Sequence, residues 1–167
     1  MRGHGLLAAV PVPPREPRVL LLHSIAAKGI PQGTDGKPGA ITSDPYCRFL
    51  LMDNVPTATG YNKTAKKQVA FTSYMQNMDC PEWDDERLQL LLTPGGDRPL
   101  RLCAEVWDKD MYTPDEQLAG TVVTLPEGMR SGVIKVRLPG VVAGADVEEL
   151  RFSFELLVEA EPEQKVR

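Results

Sequence analysis

The pattern that most constrains this chain is the recurrence of an apolar residue at every second position. In residues 100–107 (LRLCAEVW) and again in 150–156 (LRFSFEL), every second residue is apolar. Because successive side chains of a β-strand point to opposite faces, this alternation is typical of strands with one buried face. The chain also contains 15 prolines and 14 glycines, which favour short elements joined by turns. The sequence therefore predicts an all-β protein.

Strand-like segments continue along most of the chain, and a tight turn is expected at 94–97 (PGGD). Such a series, without an amphipathic helix, predicts a single antiparallel β-sandwich at 17–158. A flexible arm at 1–16 and a flexible charged tail at 159–167 are expected to flank it. Residues 147–150 are expected to hold at most a short turn of helix. The predicted strands are 19–25, 45–52, 66–74, 83–92, 100–107, 118–125, 132–138 and 150–156.

Charge and cysteine content narrow the function classes. The net charge is −4, which argues against nucleic-acid binding because that needs a standing basic surface. Three cysteines form neither an even disulfide set nor a zinc pattern, so a reducing, cytoplasmic location fits best. No stretch approaches the about 18 apolar residues of a membrane span, and the apolar run at 6–12 is too short for a signal peptide. Any membrane contact is therefore expected to be peripheral.

Catalysis has little support in the sequence. The chain has only two histidines, and neither lies beside a plausible nucleophile motif. A glycine-rich phosphate loop and zinc-ligand spacing are also missing from the sequence. The chain is therefore predicted to be a binding protein rather than an enzyme.

Carboxylates are concentrated in two distant segments that each adjoin a predicted strand. Asp44 lies before one strand, while Asp108 and Asp110 follow another and precede Asp115 and Glu116. Closely spaced carboxylates repel each other, but they are useful when a hard cation such as calcium, which takes about 6–8 oxygen ligands, lies between them. The alternatives are a turn initiated by Asp44 and a solvated hairpin loop.

Several motifs together resemble the C2 domain family, the calcium- and phospholipid-binding domains of protein kinase C and synaptotagmin. The resemblance covers about residues 18–158, and its motifs occur in the family's order. The matching segments are 28–31 (KGIP), 35–37 (DGK), 43–46 (SDPY), 66–67 (KK), 80–85 (CPEWDD), 106–110 (VWDKD) and 118–120 (LAG).

This resemblance implies an eight-stranded Greek-key sandwich of the type II variant, whose loops 1 and 3 bind calcium. Asp35 and Asp44 lie nine positions apart, which is wider than the family's usual spacing because residues 38–42 look inserted. In loop 3 the third acidic position falls on one of two neighbouring residues. The implied ligand set is Asp35, Asp44, Asp108, Asp110 and either Asp115 or Glu116.

The resemblance also implies that the protein moves reversibly between the cytoplasm and anionic membranes. If Asp35, Asp44, Asp108, Asp110 and Glu116 form one cluster, removing their charges from the net −4 leaves +1. Calcium would then reverse the sign of this end of the molecule, and each charge near an anionic surface is worth about 1 kcal/mol.

Apolar side chains on the same loops are expected to contact the membrane. They are Ile41 in loop 1 and Met111 and Tyr112 in loop 3. The protein is expected to act as a monomer. The alternative function is a calcium-independent C2 adapter that binds a protein partner.

A separate basic segment is a candidate phosphoinositide site. Lys63, Lys66 and Lys67 lie where C2 domains often carry a lysine-rich strand. The simpler interpretation is a solvated strand edge whose lysines discourage aggregation, since three lysines fall short of the about 4–8 of polybasic lipid sites.

Overall fold

The computed structural model describes residues 15–31, 43–52, 68–96 and 98–162, and the backbone of 56–57 and 60–61. Every regular element among these residues is a strand. The strands are β1 (Val19–Lys28), β2 (Pro45–Leu51), β3 (Pro56–Thr57), β4 (Gly60–Tyr61), β5 (Val69–Phe71), β6 (Glu82–Trp83), β7 (Leu88–Leu91), β8 (Arg101–Asp108), β9 (Glu116–Thr124), β10 (Ser131–Leu138) and β11 (Val147–Leu157).

The strands form two main antiparallel sheets. The first has the order β10-β11-β1, and both β6 and β7 pair with β1. The second has the order β5-β2-β8-β9, and β3 and β4 pair separately. The predicted all-β sandwich is thus confirmed, whereas the count of eight strands, the Greek-key order and the type II connection remain predictions.

The alternating residues of the sequence form the core between the two sheets. In β8 the side chains of Leu102, Ala104 and Val106 are buried, and the residues between them are half-buried. Phe49 of the second sheet meets Phe152 of the first edge to face, with ring centroids 5.3 Å apart. Trp83 is also buried, and its Nε1 donates a 2.8 Å hydrogen bond to Ser73 O. Contacts across the interior therefore hold the sheets together.

Three details of the strand prediction differ from the structure. The predicted strand at 150–156 begins earlier in the structure: residues 147–150, for which the sequence allowed at most a short turn of helix, belong to β11, whose first residue Val147 is buried and pairs with Leu138. Of the expected strand at 66–74, residues 66–67 lie outside the described part of the chain; β5 ends at Phe71, and the Thr72 hydroxyl then accepts a hydrogen bond from Cys47 N as the chain leaves the sheet. The segment 83–92 is divided by a turn in which Glu86 N donates to Trp83 O.

One residue of the predicted arm, Glu16, and one of the predicted tail, Glu161, contact the sandwich. Arg87 donates two hydrogen bonds, of 2.8 and 2.7 Å, to the Glu161 carboxylate, and Gly95 N donates to Glu16. Residues 1–14 and 163–167 lie outside the described part of the chain. The proposed arm, domain and tail boundaries remain predictions.

Three connections meet at one end of the sandwich. We name the connection between β1 and β2 loop 1, of which residues 29–31 and 43–44 are described, residues 72–81 loop 2 and residues 109–115 loop 3. Asp108, the last residue of β8, pairs with Pro45 at the start of β2 and with Glu116 at the start of β9. Met78 N in loop 2 also donates to Ser43 O in loop 1. The register of the second sheet therefore places the acidic segments beside one another.

We expect Phe152→Ala to lower the free energy of unfolding by about 3–5 kcal/mol, because it leaves a cavity against Phe49. Urea denaturation measures this loss. The control is Val133→Thr, which replaces a side chain that is 59% exposed by one of similar size. It should change the free energy of unfolding by no more than about 0.5 kcal/mol. Equal effects of the two variants would contradict this description of the core.

Candidate functional site

The centre of the acidic end is a junction between Asp44 and Asp108. Asp44 N donates a 2.7 Å hydrogen bond to Asp108 Oδ1, and Lys109 N donates a 3.0 Å hydrogen bond to Asp44 O. Asp108 is only 8% exposed. The structure thus brings together two acidic residues 64 positions apart in the chain.

The charges at this junction are poorly compensated. Burial raises the pKa of Asp108, and the negative charges of Asp110, Asp44 and Glu116 raise it further. The hydrogen bond from Asp44 N opposes these effects. The carboxylate of Asp108 therefore lies in a negative field, which a bound cation would relieve.

Asp115 has different partners from Glu116, its neighbour in the sequence. The Tyr46 hydroxyl donates a 2.8 Å hydrogen bond to Asp115 Oδ2, and Asp110 N donates a 3.2 Å hydrogen bond to Oδ1. Lys109 Nζ lies 3.4 Å from the same Oδ1. Of the two acids that the sequence left open, Glu116 is the one that acts electrostatically on Asp108.

The contact between Tyr46 and Asp115 fixes the protonation states of both side chains. The hydrogen bond from Tyr46 is the largest of the effects that lower the pKa of Asp115. Burial, together with the negative charge of Asp115, raises the pKa of Tyr46 to about 12. Tyr46 therefore remains a donor and Asp115 an ionised acceptor at neutral pH.

Loop 2 contributes a contact that sequence reasoning missed. Asn77 N donates a 2.9 Å hydrogen bond to Asp44 Oδ1, so a backbone amide of loop 2 orients the Asp44 carboxylate. Asn77 has a φ of +50°, a conformation that asparagine tolerates better than most residues. In the sequence, the only indication of this turn was the asparagine itself, in a segment between two predicted strands.

Loop 3 also carries strongly exposed apolar side chains. Met111 is 74% exposed and Tyr112 is 97% exposed. They lie within five residues of the nearly buried Asp108 carboxylate. The sequence-predicted residues Asp35, Ile41, Lys63, Lys66 and Lys67 lie outside the described part of the chain.

The donor chemistry of the junction fits a hard cation, although the described ligand set is partial. Carboxylate oxygens from loop 1, β8 and loop 3 suit calcium, and the negative charges of Asp110, Asp44 and Glu116 add to burial in raising the pKa of Asp108. Among the described residues, no three acidic, histidine or cysteine side chains form a group that could hold a metal. The ligands Asp44, Asp108, Asp110 and Glu116, which the family resemblance implies, therefore remain predictions.

A two-sheet sandwich with acidic loops gathered at one end defines a class of β domains. The family model described as "C2 domain" matches residues 18–137. This chain therefore belongs to the C2 domain family, as the sequence motifs indicated. A search of curated protein sequences found no match to the chain.

Solved structures of C2 proteins share the fold. One C2 domain of plant extended synaptotagmin 1, its domain A, is 16% identical with a TM-score of 0.62, covering 87% of this chain and 100% of that domain. Human GIVD cytosolic phospholipase A2 is 15% identical with a TM-score of 0.59, covering 87% of this chain and 18% of its own. Calcium-bound extended synaptotagmin 2 is 20% identical with a TM-score of 0.54, and the match covers 84% of this chain and 46% of that one.

These comparisons differ in how much of each protein they cover. The chain spans the whole plant domain but less than half of the other two structures. At these identities the likeness establishes the fold alone. In the described part of the chain, no helix is long and apolar enough to cross a membrane.

We expect Asp108→Asn to stabilise the calcium-free protein at neutral pH, by on the order of 1 kcal/mol, the energy of two like charges about 4 Å apart in water. The asparagine oxygen can still accept from Asp44 N, while a nearly buried charge is removed. Because folding raises the pKa of Asp108, this group lowers stability as pH rises from its ordinary pKa to its raised one. Urea denaturation at several pH values should show the advantage at neutral pH and its loss in acid.

Asp146→Asn is the matched control for this prediction. The Gly140 amide and Arg137 lower the pKa of Asp146, so loss of that charge should destabilise the protein at neutral pH. A destabilised Asp108→Asn protein would contradict the electrostatic description of the junction.

Proposed function

We propose that this protein binds anionic phospholipid membranes in a calcium-dependent manner through loops 1 and 3. It would act as a monomeric, non-catalytic membrane-targeting module that is cytoplasmic and reversibly recruited to membranes. Membership of the C2 family supports a lipid- or calcium-binding module in general. The observation that carries the finer proposal is the nearly buried Asp108 carboxylate in the field of three other acids.

The charge of the acidic end sets the direction of the switch. Without a cation, Asp44, Asp108, Asp110 and Glu116 repel anionic headgroups. Bound calcium neutralises them and leaves coordination positions for phosphate or carboxyl oxygens of a lipid. Two calcium ions would change the local charge by four, at about 1 kcal/mol for each charge near the surface. This energy is sufficient to move the protein between free and bound states.

The exposed side chains of loop 3 provide the apolar part of membrane binding. Met111 and Tyr112 are close in the chain to the proposed ligands. When calcium neutralises those carboxylates, it removes their repulsion of anionic headgroups at the point where the two side chains would enter the bilayer surface. Tyrosine favours the interface between headgroups and acyl chains. Ile41 of loop 1 is proposed to act with them, and Lys63, Lys66 and Lys67 are proposed as a separate phosphoinositide contact.

A calcium-independent adapter is the second candidate function. The observation that favours it is the pairing of Lys109 with Asp115 inside loop 3, which compensates part of the loop's negative charge without a metal. In that case the acidic end would contact a protein partner, and calcium would produce neither heat on titration nor thermal stabilisation.

We expect the double variant Asp108→Asn/Asp110→Asn to lose calcium-dependent sedimentation with phosphatidylserine vesicles, with at least about a tenfold weaker apparent affinity, or 1.4 kcal/mol. The matched control is Asp84→Asn/Asp85→Asn, the same charge change in the exposed turn between β6 and β7, which should bind like the wild type. Calcium titration calorimetry of the wild type accompanies the assay. Calcium-independent binding or an absence of heat would reject the proposed function and favour the adapter.

Tyr112→Ser should weaken vesicle binding about fivefold at saturating calcium. Shallow burial of the ring is worth about 1 kcal/mol, roughly half of full burial of a large apolar side chain. Its calcium affinity without vesicles should remain unchanged, because Tyr112 is no proposed ligand. Val133→Ser on the first sheet is the control. Equal losses for both variants would contradict insertion of loop 3.

A further inference from the structure

The Asp115 carboxylate joins three parts of the acidic end. Its Oδ2 accepts from the Tyr46 hydroxyl at 2.8 Å, and its Oδ1 accepts from Asp110 N at 3.2 Å. Lys109 Nζ lies 3.4 Å from Oδ1 and 3.5 Å from Oδ2. Both oxygens are therefore already engaged by donors from β2 and from loop 3 itself.

Tyr46 provides a rigid anchor for this carboxylate. It belongs to β2, pairs with Trp107 of β8 and is half-buried. Its ring lies 6.3 Å from that of Phe71 in β5. A side chain fixed by the sheet and by a neighbouring ring can hold its hydroxyl in a constant position, so Asp115 is tied to the sandwich and not only to its own loop.

The contact with Asp110 N transfers this constraint to a proposed metal ligand. Residues 110 and 115 are the two sides of loop 3, and the exposed Met111 and Tyr112 lie between them. Tethering both sides to β2 restricts the backbone from which the Asp110 side chain projects. Preorganised ligands bind metal more tightly because less conformational freedom is lost on binding.

We propose that Tyr46 and Asp115 are positioning residues, a clamp that fixes loop 3 and thereby places the Asp110 carboxylate for calcium. The inference rests on the proposed function for its calcium part, and it assigns Asp115 a role other than direct metal ligation. Tyr46, which carries no charge at neutral pH and contacts no proposed metal, becomes a determinant of calcium affinity.

The first test is Tyr46→Phe, which removes only the hydroxyl. Calcium titration calorimetry of the full chain should show about tenfold weaker affinity, at the lower end of the effect of removing groups that orient metal ligands. Tyr74→Phe is the matched control, because Tyr74 lines the same surface groove as Tyr46 and Asp115, and it should retain wild-type affinity. A change in melting temperature with unchanged calcium affinity would overturn the positioning role.

The variant Tyr46→Phe distinguishes a clamp from a ligand, and the double variant tests whether Tyr46 acts through Asp115. If Tyr46 acts through Asp115, then Asp115→Ala and the double variant Tyr46→Phe/Asp115→Ala should have similar calcium affinities. Asp115→Ala already removes the hydrogen bond between the two side chains, so loss of the Tyr46 hydroxyl has no further effect. If Asp115 instead ligates calcium, Tyr46→Phe would free its carboxylate and leave the affinity equal or higher, while Asp115→Ala alone would weaken it. That result would overturn the proposal.

A calcium-free measurement separates failure of the clamp from failure of the proposed function. In chelator, hydrogen exchange measured by NMR should be slow at the Asp110 amide of the wild type and faster in Tyr46→Phe and Asp115→Ala, while exchange at the strand amides stays unchanged. Wild-type exchange in both variants would overturn the clamp. A wild type that binds no calcium but shows the expected exchange would reject the proposed function and the calcium role of the clamp, leaving the loop tether itself established.

Discussion

The hydrogen bond from Asp44 N to the nearly buried Asp108 carboxylate connects the two halves of the acidic end. It joins the residue before β2 to the last residue of β8, and because these neighbouring strands pair Pro45 with Asp108, their register brings the two acidic segments together. Asn77 in loop 2 then bonds to the Asp44 carboxylate. The orientation of these side chains therefore depends on the sheet, and all three loops contribute to it.

The same junction carries an electrostatic cost. A single backbone donor does not offset the burial of Asp108 and its repulsion by nearby acids, as its raised pKa shows. Folding supplies the free energy that keeps these carboxylates together, because the strands on both sides are held by a continuous apolar core. Such concentrated like charges are typical of functional sites, and they favour an interpretation in which a cation completes the arrangement.

Neighbouring acids at the start of β9 have separate environments. Asp115 accepts hydrogen bonds from Tyr46 and Asp110 N, whereas the charge of Glu116 acts on Asp108. This division follows the positions of the two residues, since Asp115 ends loop 3 whereas Glu116 begins β9 and pairs with Asp108. It allows one acid to organise the loop while the next contributes to the negative field.

The sequence by itself determined the all-β class, the core positions and the C2 family, because alternation and ordered motifs are properties of residue order. It also predicted that Asp44 and Asp108 belong to one functional end. Only the tertiary structure decided that Asp115 faces Tyr46, that Asn77 orients Asp44, and that 147–150 is strand rather than helix. These features depend on register and on contacts between residues far apart in the chain, such as the 69 positions between Tyr46 and Asp115, and local sequence patterns carry no information about which donor will meet which acceptor.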